Sequence, residues 1–429
     1  MASASIPQAV PSAAVLAPVS ERERIQVIDA LRGFALLGIL LVNMGLFSAP
    51  FIGFVMGIPR GETSLDRAAE FGVLWLATGK FYPLFSFLFG LGMSIQMTRA
   101  TKSGVNFARR YARRLLVLLV FGMAHALLLW NGDILFIYAL VGFVLMLFRN
   151  ARPKTLLIWA VALLALSFAT AILSAIANAV FLSAMPMDAM SMGGFDLDAF
   201  LKDLYAQTVA VYGRGAWAQI FVWRAIEWTI TLIAFMFNSA LQILGLFLLG
   251  LYAGRTGLLQ YPDAHRRLFV IGARVALPVG LAANALIAWV TVREGSALTS
   301  GLMLLAQAFQ LVFGPLLTFG YLSAIVLLSE QAQARRLMAP LSAAGRMALS
   351  NYLTQSVICT TIFYSYGLGL YGQVGAAAGV LLSLVIWAIQ LPVSMIWLRF
   401  FQFGPMEWAW RALTYGKAPA MRRQDAVAL

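Results

Sequence analysis

Residues 156–182 read LLIWAVALLALSFATAILSAIANAVFL, an apolar run without a single Asp, Glu, Lys or Arg. Wound as a helix it is about 40 Å long, enough to cross a bilayer core of about 30 Å. A helix apolar on every face belongs in a large core or in lipid. The rest of the chain repeats the pattern. Ten such stretches fall at roughly 30–48, 71–97, 115–130, 133–148, 156–182, 218–253, 269–291, 301–328, 347–366 and 375–398. The third and fourth are short and joined by a tight Trp130-Asn131-Gly132 turn. The sixth is long enough to tilt or to be two pieces, which would make eleven.

Composition excludes the soluble alternatives. Of 429 residues, 61% are apolar and 11% charged, with mean hydropathy +0.84. Soluble domains carry about 25% charge, and this chain cannot cover a water-facing surface. A soluble enzyme, a secreted scaffold and a disordered protein are therefore excluded. An outer-membrane barrel alternates apolar and polar residues along its strands, unlike these unbroken runs. The expected fold is all-α, a polytopic integral membrane protein of about ten transmembrane helices. Cys359 is the single cysteine, which excludes an intrachain disulfide and a thiolate cluster. With two histidines a zinc site would lean on carboxylates, and no metal site is predicted.

The net charge of +14 has a topological origin. Residues 1–20 contain no basic residue, and Pro7, Pro11 and Pro18 break any helix, so this is not a signal peptide. With the N-terminus inside, the cytoplasmic segments hold 23 Lys and Arg and the external loops 5. Acidic residues lean the other way, 9 external against 7. The positive-inside rule then places both termini in the cytoplasm of a multi-pass inner-membrane protein and accounts for the charge without nucleic acid. The basic run from Arg109 to Arg114 has the same explanation, although it would also suit phosphates. Two outer segments are long, 50–70 and 183–217, the second with Asp188, Asp196, Asp198 and Asp203. They are either solvated loops or caps on an outward-facing cavity. Near the C-terminus, Pro405 opens an interfacial helix with Glu407 and Arg411 as an i,i+4 pair.

Polar groups inside the spans carry the functional information, because each is costly in hydrocarbon and faces a bundle interior, a partner or water. Asn43, Lys80, His125, Asp133, Arg224 and Glu227 are all expected at similar depth, toward the outside. His125 lies about level with Tyr138 across the short hairpin, with Asp133 just above. A carboxylate or phenol beside an imidazole fixes its tautomer and tunes it as a general base; packing alone is the plainer alternative. Lys80 precedes Phe81-Tyr82-Pro83, where the proline is expected to loosen the helix beside a charge. Arg224 and Glu227 are spaced to neutralise each other. Asn351 and Gln355 share a helical face, as interhelical glue or, second, as a substrate tunnel wall. Asp29 and Arg32 read as a pair at the headgroup level. No P-loop, GxSxG, HExxH or GxGxxG context occurs.

Five ordered motifs resemble the YeiB-like bacterial membrane protein family between residues 24 and 416. They are Arg24-Ile25 through Ala30-Leu31-Arg32-Gly33 to Val42-Asn43; Lys80-Phe81-Tyr82-Pro83 to Gly90; His125 with Gly132-Asp133-Ile134-Leu135 and Tyr138; Gly345-Arg346 through Ser350-Asn351-Tyr352 to Gln355-Ser356; and Gly404-Pro405-Met406-Glu407-Trp408 with Trp410-Arg411. More distantly, the first half resembles the transmembrane acyltransferase superfamily that includes heparan-α-glucosaminide N-acetyltransferase. There an acyl group passes from cytosolic acyl-CoA to an acceptor across the membrane. Asn43 matches a functional Asn of that superfamily's first span. Its catalytic His lies in the outer loop, and residues 50–70 here hold none.

Prolines and a lack of apolar periodicity make 1–24 an expected disordered cytoplasmic tail, and 417–429 is expected to be a second; the resemblance implies an acyltransferase-like half over 25–217 and a YeiB-family half over 218–416. It implies a membrane acyltransferase with acyl-CoA as co-substrate, no permanently bound cofactor, and a glycan, lipid or small-molecule acceptor. In that reading His125 is the base, Asp133 its orienter, and Asn43 and Lys80 bind substrate or an oxyanion, with Tyr138, Arg224, Glu227, Asn351 and Gln355 as further substrate contacts. The alternative is a transporter of a small metabolite or lipid using the same cluster. Membrane lipids are expected partners in either case.

Overall fold

A computed structural model describes residues 26–184, 196–295 and 300–423. The expected tail over 1–24, Asp188 and residues 424–429 lie outside them. The described residues form helices and no strand beyond one isolated bridge, Phe401 with Arg422. Seven helical segments are long and apolar enough to cross a membrane, and the shorter apolar helices Leu135–Leu147 and Ala240–Arg255 accompany them. This is an all-α polytopic membrane protein.

In chain order the helices are α1 (Gln26–Ser48), α2 (Phe51–Met56), α3 (Ser64–Leu76), α4 (Phe81–Lys102), α5 (Phe107–Leu128), α6 (Leu135–Leu145), α7 (Pro153–Ala184), α8 (Leu197–Arg214) and α9 (Trp217–Asn238). They continue as α10 (Ala240–Arg255), α11 (Arg266–Ile271), α12 (Leu277–Glu294), α13 (Gly301–Ser329), α14 (Ala332–Leu337), α15 (Ala339–Arg346), α16 (Ala348–Phe363), α17 (Ala376–Phe400) and α18 (Pro405–Tyr415).

Two expected spans are broken helices. The second divides at Thr78-Gly79-Lys80, where Gly79 takes a φ of +79° that an L side chain resists. Pro83 therefore falls in the first turn of α4, where its missing N–H costs nothing; it starts that helix rather than loosening one. The sixth divides at Ser239 into α9 and α10.

The elements run between two ends. At the basic end, Trp410 of α18 donates to the Arg114 carbonyl, and the Arg255 guanidinium donates to the carbonyls of Arg149 and Ala151. At the far end, Gly372 N–H meets the Ser48 carbonyl, Ala376 N–H meets the Arg60 carbonyl, and Ser365 Oγ donates to Gly215. The described parts of the two long segments thus have structure. Asp66 closes a capping box with Thr63 and accepts from Ala377 N–H at the start of α17, and Asp196 caps α8.

Small residues let the helices touch backbone to backbone. A Cβ at Gly90 would lie 1.9 Å from the Phe247 carbonyl oxygen, and one at Gly250 would lie 1.9 Å from that of Phe87, so α4 and α10 cross at paired glycines. A stacked Phe89–Phe247 pair fills the space beside them. Pro315 inside α13 leaves the Leu311 carbonyl without its helical donor, and Gln242 Nε2 of α10 supplies one at 2.8 Å.

Candidate functional site

The α5–α6 hairpin builds the site locally. α5 ends where the Leu129 and Trp130 amides both close on the His125 carbonyl. The chain reverses through Asn131-Gly132, and Asp133 Oδ2 accepts from Phe136 N–H at 2.7 Å, holding the start of α6. Gly122 admits this return: a Cβ there would sit 2.3 Å from Phe136 N and 2.8 Å from Asp133 Oδ2. One turn further along α5, His125 meets the other carboxylate oxygen, with Nδ1 2.8 Å from Asp133 Oδ1. The second ring nitrogen, Nε2, lies 2.8 Å from Ser356 Oγ on α16. His125, Asp133 and Ser356 are all buried. The carboxylate only accepts, so Nδ1 carries the proton and Nε2 is left to accept from the serine hydroxyl. This is the hydroxyl–imidazole–carboxylate order of an activated nucleophile. It is equally a three-helix lock.

Tyr352, one turn before Ser356 on the same face of α16, lays its ring 5.1 Å from the imidazole. Tyr352, Ile39 and Ile134 line two cavities, one on each side. The far-end cavity, about 480 Å³, is faced by Asn43, Asn131, Asp133 and Glu227 among aromatic walls that include Trp130 and Trp228. The basic-end cavity, about 250 Å³, is faced by Arg32, Arg114, Arg346 and Arg411. The three shared residues are thus a partition; Asp133 faces the far-end cavity, and His125 lies against the Tyr352 ring without lining either cavity.

The structure brings only part of the expected cluster together. Asn43, Asp133 and Glu227 face one cavity. Lys80 does not line it. Its ammonium is fully buried and donates to the Leu74 carbonyl at 2.8 Å, so it satisfies the end of α3 across the break. Tyr138 faces the basic-end cavity instead, with its hydroxyl on the Tyr82 carbonyl and Ser86 Oγ, both at 2.8 Å. Arg224 and Glu227 do not pair with each other. The Glu227 carboxylate accepts from Asn131 Nδ2 at 2.8 Å and Tyr212 O–H at 2.6 Å, while Arg224 donates to the Leu127 carbonyl and faces the Tyr364 ring. Asn351 and Gln355 have the geometry of glue. Asn351 Nδ2 reaches Ala344 O and Ser394 Oγ, and Gln355 Nε2 reaches Gln390 Oε1 at 2.8 Å. Asp29 and Arg32 pair at 3.2 Å as expected.

The i,i+4 pair expected in α18 is replaced by a longer-range contact. Glu407 accepts from the Leu349 and Ser350 amides at 2.7 and 3.1 Å and from Ser350 Oγ at 2.5 Å, capping α16. Burial pushes its carboxyl up, against the downward pull of these hydrogen bonds. Arg411 turns to the Phe403 ring. Ser356 and Tyr352 were the site residues that sequence reasoning missed. A serine at helical spacing in an apolar span looks like any other, and its partner lies 231 positions away.

Comparison with known proteins finds uncharacterized relatives along nearly the whole chain. Residues 253–417 match the family model described as protein of unknown function DUF418. The chain is 38% identical over 419 residues to the uncharacterized protein YxaH of Bacillus subtilis (strain 168), covering 93% of this chain and 96% of the relative. It is 30% identical over 413 residues to the uncharacterized protein YeiB of Escherichia coli (strain K12), covering 94% and 99%. A similar 30% match covers 95% of this chain and 99% of an uncharacterized 39.9 kDa protein in the amylase 3′ region of Bacillus acidopullulyticus.

Proposed function

The chain belongs to the YeiB-like family of bacterial membrane proteins, and from that premise we propose that it is an inner-membrane acyltransferase with both termini in the cytoplasm. It takes an acyl group from a cytosolic acyl-CoA at the basic end and delivers it to a hydroxyl or amine at the far end. The observation that carries the reading is the buried Ser356–His125–Asp133 relay, whose imidazole lies against Tyr352 of the partition between two cavities.

In the proposed reaction Ser356 Oγ attacks the thioester carbonyl and its proton passes to His125 Nε2. The C–S bond breaks and the leaving thiolate takes that proton. The acceptor then attacks the acyl-serine, His125 receives the acceptor's proton, and Ser356 Oγ recovers it as the ester breaks. Asp133 holds the imidazolium that forms at each step; such general-base help is worth roughly 10²–10⁴ in rate. The Tyr352 ring must swing away for substrate to reach Ser356. Asn43, Asn131 and Glu227, set among aromatic rings, suit a polyhydroxylated acceptor such as a glycan. No permanently bound cofactor is required.

Transport of a metabolite or lipid is the second reading, favoured by the two cavities sharing Ile39, Ile134 and Tyr352 as a gate. The test is to incubate the purified chain with radiolabelled acyl-CoA and sequence any labelled peptide by mass spectrometry. The transfer reading expects label on Ser356 in wild type, none in Ser356→Ala, and acylation slowed by roughly 10²–10⁴ in His125→Gln. If wild type neither releases coenzyme A with any membrane or periplasmic acceptor pool nor acquires label, transport takes first place.

A further inference from the structure

The far-end cavity is polar at its outer level and apolar below it. α1 reaches the far end at Ser48, α9 leaves it after Gly215, and α6 runs from the Asp133 turn toward Arg149 at the basic end. Asn43, Asn131 and Glu227 therefore face the cavity near its outer level. Ile137 lies one turn deeper along α6, and Ile230 and Ala234 lie about 5 and about 10 Å below Glu227 along α9. Part of the outer level is not used up by the fold. The half-buried Asn43 amide has no hydrogen-bond partner among the described residues, and neither has the indole N–H of the fully buried Trp130. Asn131 gives Nδ2 to Glu227 and keeps its carbonyl oxygen. Unpaired polar groups at membrane depth are costly, and a ligand with donors and acceptors removes the cost.

Charge narrows the ligand. Asp133 and Glu227 line the cavity, and no Lys, Arg or His does among the described residues. Arg224 attracts Glu227 but lies off the lining, with Nη1 on the Leu127 carbonyl. A phosphate here meets two carboxylates and no cation at contact, whereas hydroxyls both donate and accept. The cavity also reaches the membrane surface. Ile226, Ile230 and Ile233 form an i, i+4, i+7 stripe on α9, 54%, 63% and 54% exposed. Of the three only Ile230 lines the cavity, and Thr231 and Ala234, also on the lining, are exposed as well. The deep wall is thus the edge of an apolar outer surface. A water-soluble sugar leaves this depth unfilled, and an alkyl chain alone leaves the amide and the indole unpaired.

We propose that the far-end cavity takes a membrane lipid with an uncharged, hydroxyl-bearing head, entering sideways past Ile230. The head sits among Asn43, Trp130, Asn131 and Glu227, and the chain runs deeper past Ile137 and Ile230 into the adjoining leaflet. That is the orientation a lipid of the far-end leaflet already has, head outward and chain inward. The inference deepens the transfer reading by making the acceptor a glycolipid rather than a soluble glycan, and rests on that reading only for the fate of the bound lipid.

The test measures lipid retention without turnover, by native mass spectrometry of the full chain released from phosphatidylcholine nanodiscs. These carry equal mole fractions of monoglucosyl dioleoylglycerol, dioleoylglycerol or dioleoyl phosphatidylglycerol. The glucolipid is expected to be retained about tenfold or more over the other two, and excess free glucose is expected not to displace it. Ile230→Trp supplies the blocking variant, because a larger ring at this exposed position closes the entry without crowding the core. Ile233→Trp, on the same stripe but off the lining, is the control for adhesion to the helix surface. Asn43→Leu removes a head contact and has no partner to lose, which covers the case of a poorly folded Ile230→Trp. Ile230→Trp and Asn43→Leu should each lower retention about tenfold or more, and Ile233→Trp should stay within about twofold of wild type. Equal retention of the three lipids, displacement by glucose, no effect of either lining variant, or an equal loss in Ile233→Trp overturns the site. Selective retention with no acylation of Ser356 would keep the site and reject the transfer reading; acyl-Ser356 passing its acyl group to a soluble glycan, with no glucolipid retained, would do the reverse.

Discussion

At His125 both ring nitrogens are engaged, one by a carboxylate and one by a hydroxyl, and the carboxylate decides which of them carries the proton. Asp133→Asn tests this directly. An amide that donates to Nδ1 moves the proton to Nε2, which then no longer accepts from Ser356. On the proposed transfer reading, acylation is expected to fall by roughly 10²–10⁴ with the fold retained, read by single-turnover kinetics beside a thermal melt. Lys80 makes the opposite kind of prediction. Its ammonium is spent on the Leu74 carbonyl, so Lys80→Met should cost about 1.5–3 kcal/mol of stability, as for a lost hydrogen bond to a charged group, and leave ligand affinity at the wild-type value. Affinity measured by native mass spectrometry alongside the melting temperature separates the two effects. The contact between His125 and Asp133 was legible in the sequence because eight residues of a tight hairpin constrain it. Depth along the membrane normal, however, does not fix which way a side chain faces. Lys80 and Tyr138 share the expected depth with His125 and point elsewhere.

Among the elements, the α4–α10 crossing depends on having no side chains at Gly90 and Gly250, where each Cβ would press on a carbonyl oxygen. Gly90→Val is expected to cost well over the 1–3 kcal/mol typical of overpacking (~), seen as loss of a monodisperse peak in gel filtration. Gly72→Ala, at a half-buried position of α3 where an added Cβ meets nothing within 4 Å, is expected to be neutral or to raise stability by up to about 1 kcal/mol. The docking of α18 on α16 should depend on pH. Burial raises the Glu407 pKa, so its contribution is present at low pH and is lost as pH rises through that value. Hydrogen-exchange protection of residues 405–415, corrected for intrinsic rates, should fall with rising pH in wild type and stay level in Glu407→Gln. The helix itself was legible from Pro405 and its tryptophans. The partner of Glu407 was not, because local spacing offers Arg411, whereas a helix start with unpaired amides offers more to a buried carboxylate.

For the whole molecule, the helices pass back and forth between a basic end and a far end, and the topology that follows is open to direct test. Reporters placed after Gly61, after Ala151 and at the C-terminus are expected to read external, cytoplasmic and cytoplasmic. A cytoplasmic Gly61 or an external C-terminus would reverse the assignment of both cavities. The all-helical membrane fold was determined by sequence alone, since apolar runs without charge have few other physical solutions. The skew of basic residues between alternate loops was also there to be read, because it is a count along the chain. So was the α5–α6 hairpin, because its turn residues and its polar pair are local. Tertiary structure alone decided that α16 brings Ser356 to His125, that Tyr352 separates two cavities, and that Arg32, Arg114, Arg346 and Arg411 surround one of them. These groups lie far apart in sequence, and the helix rotations that bring them together are set by close packing at glycines and by buried hydrogen bonds between helices, which no periodicity within a single uniformly apolar helix encodes.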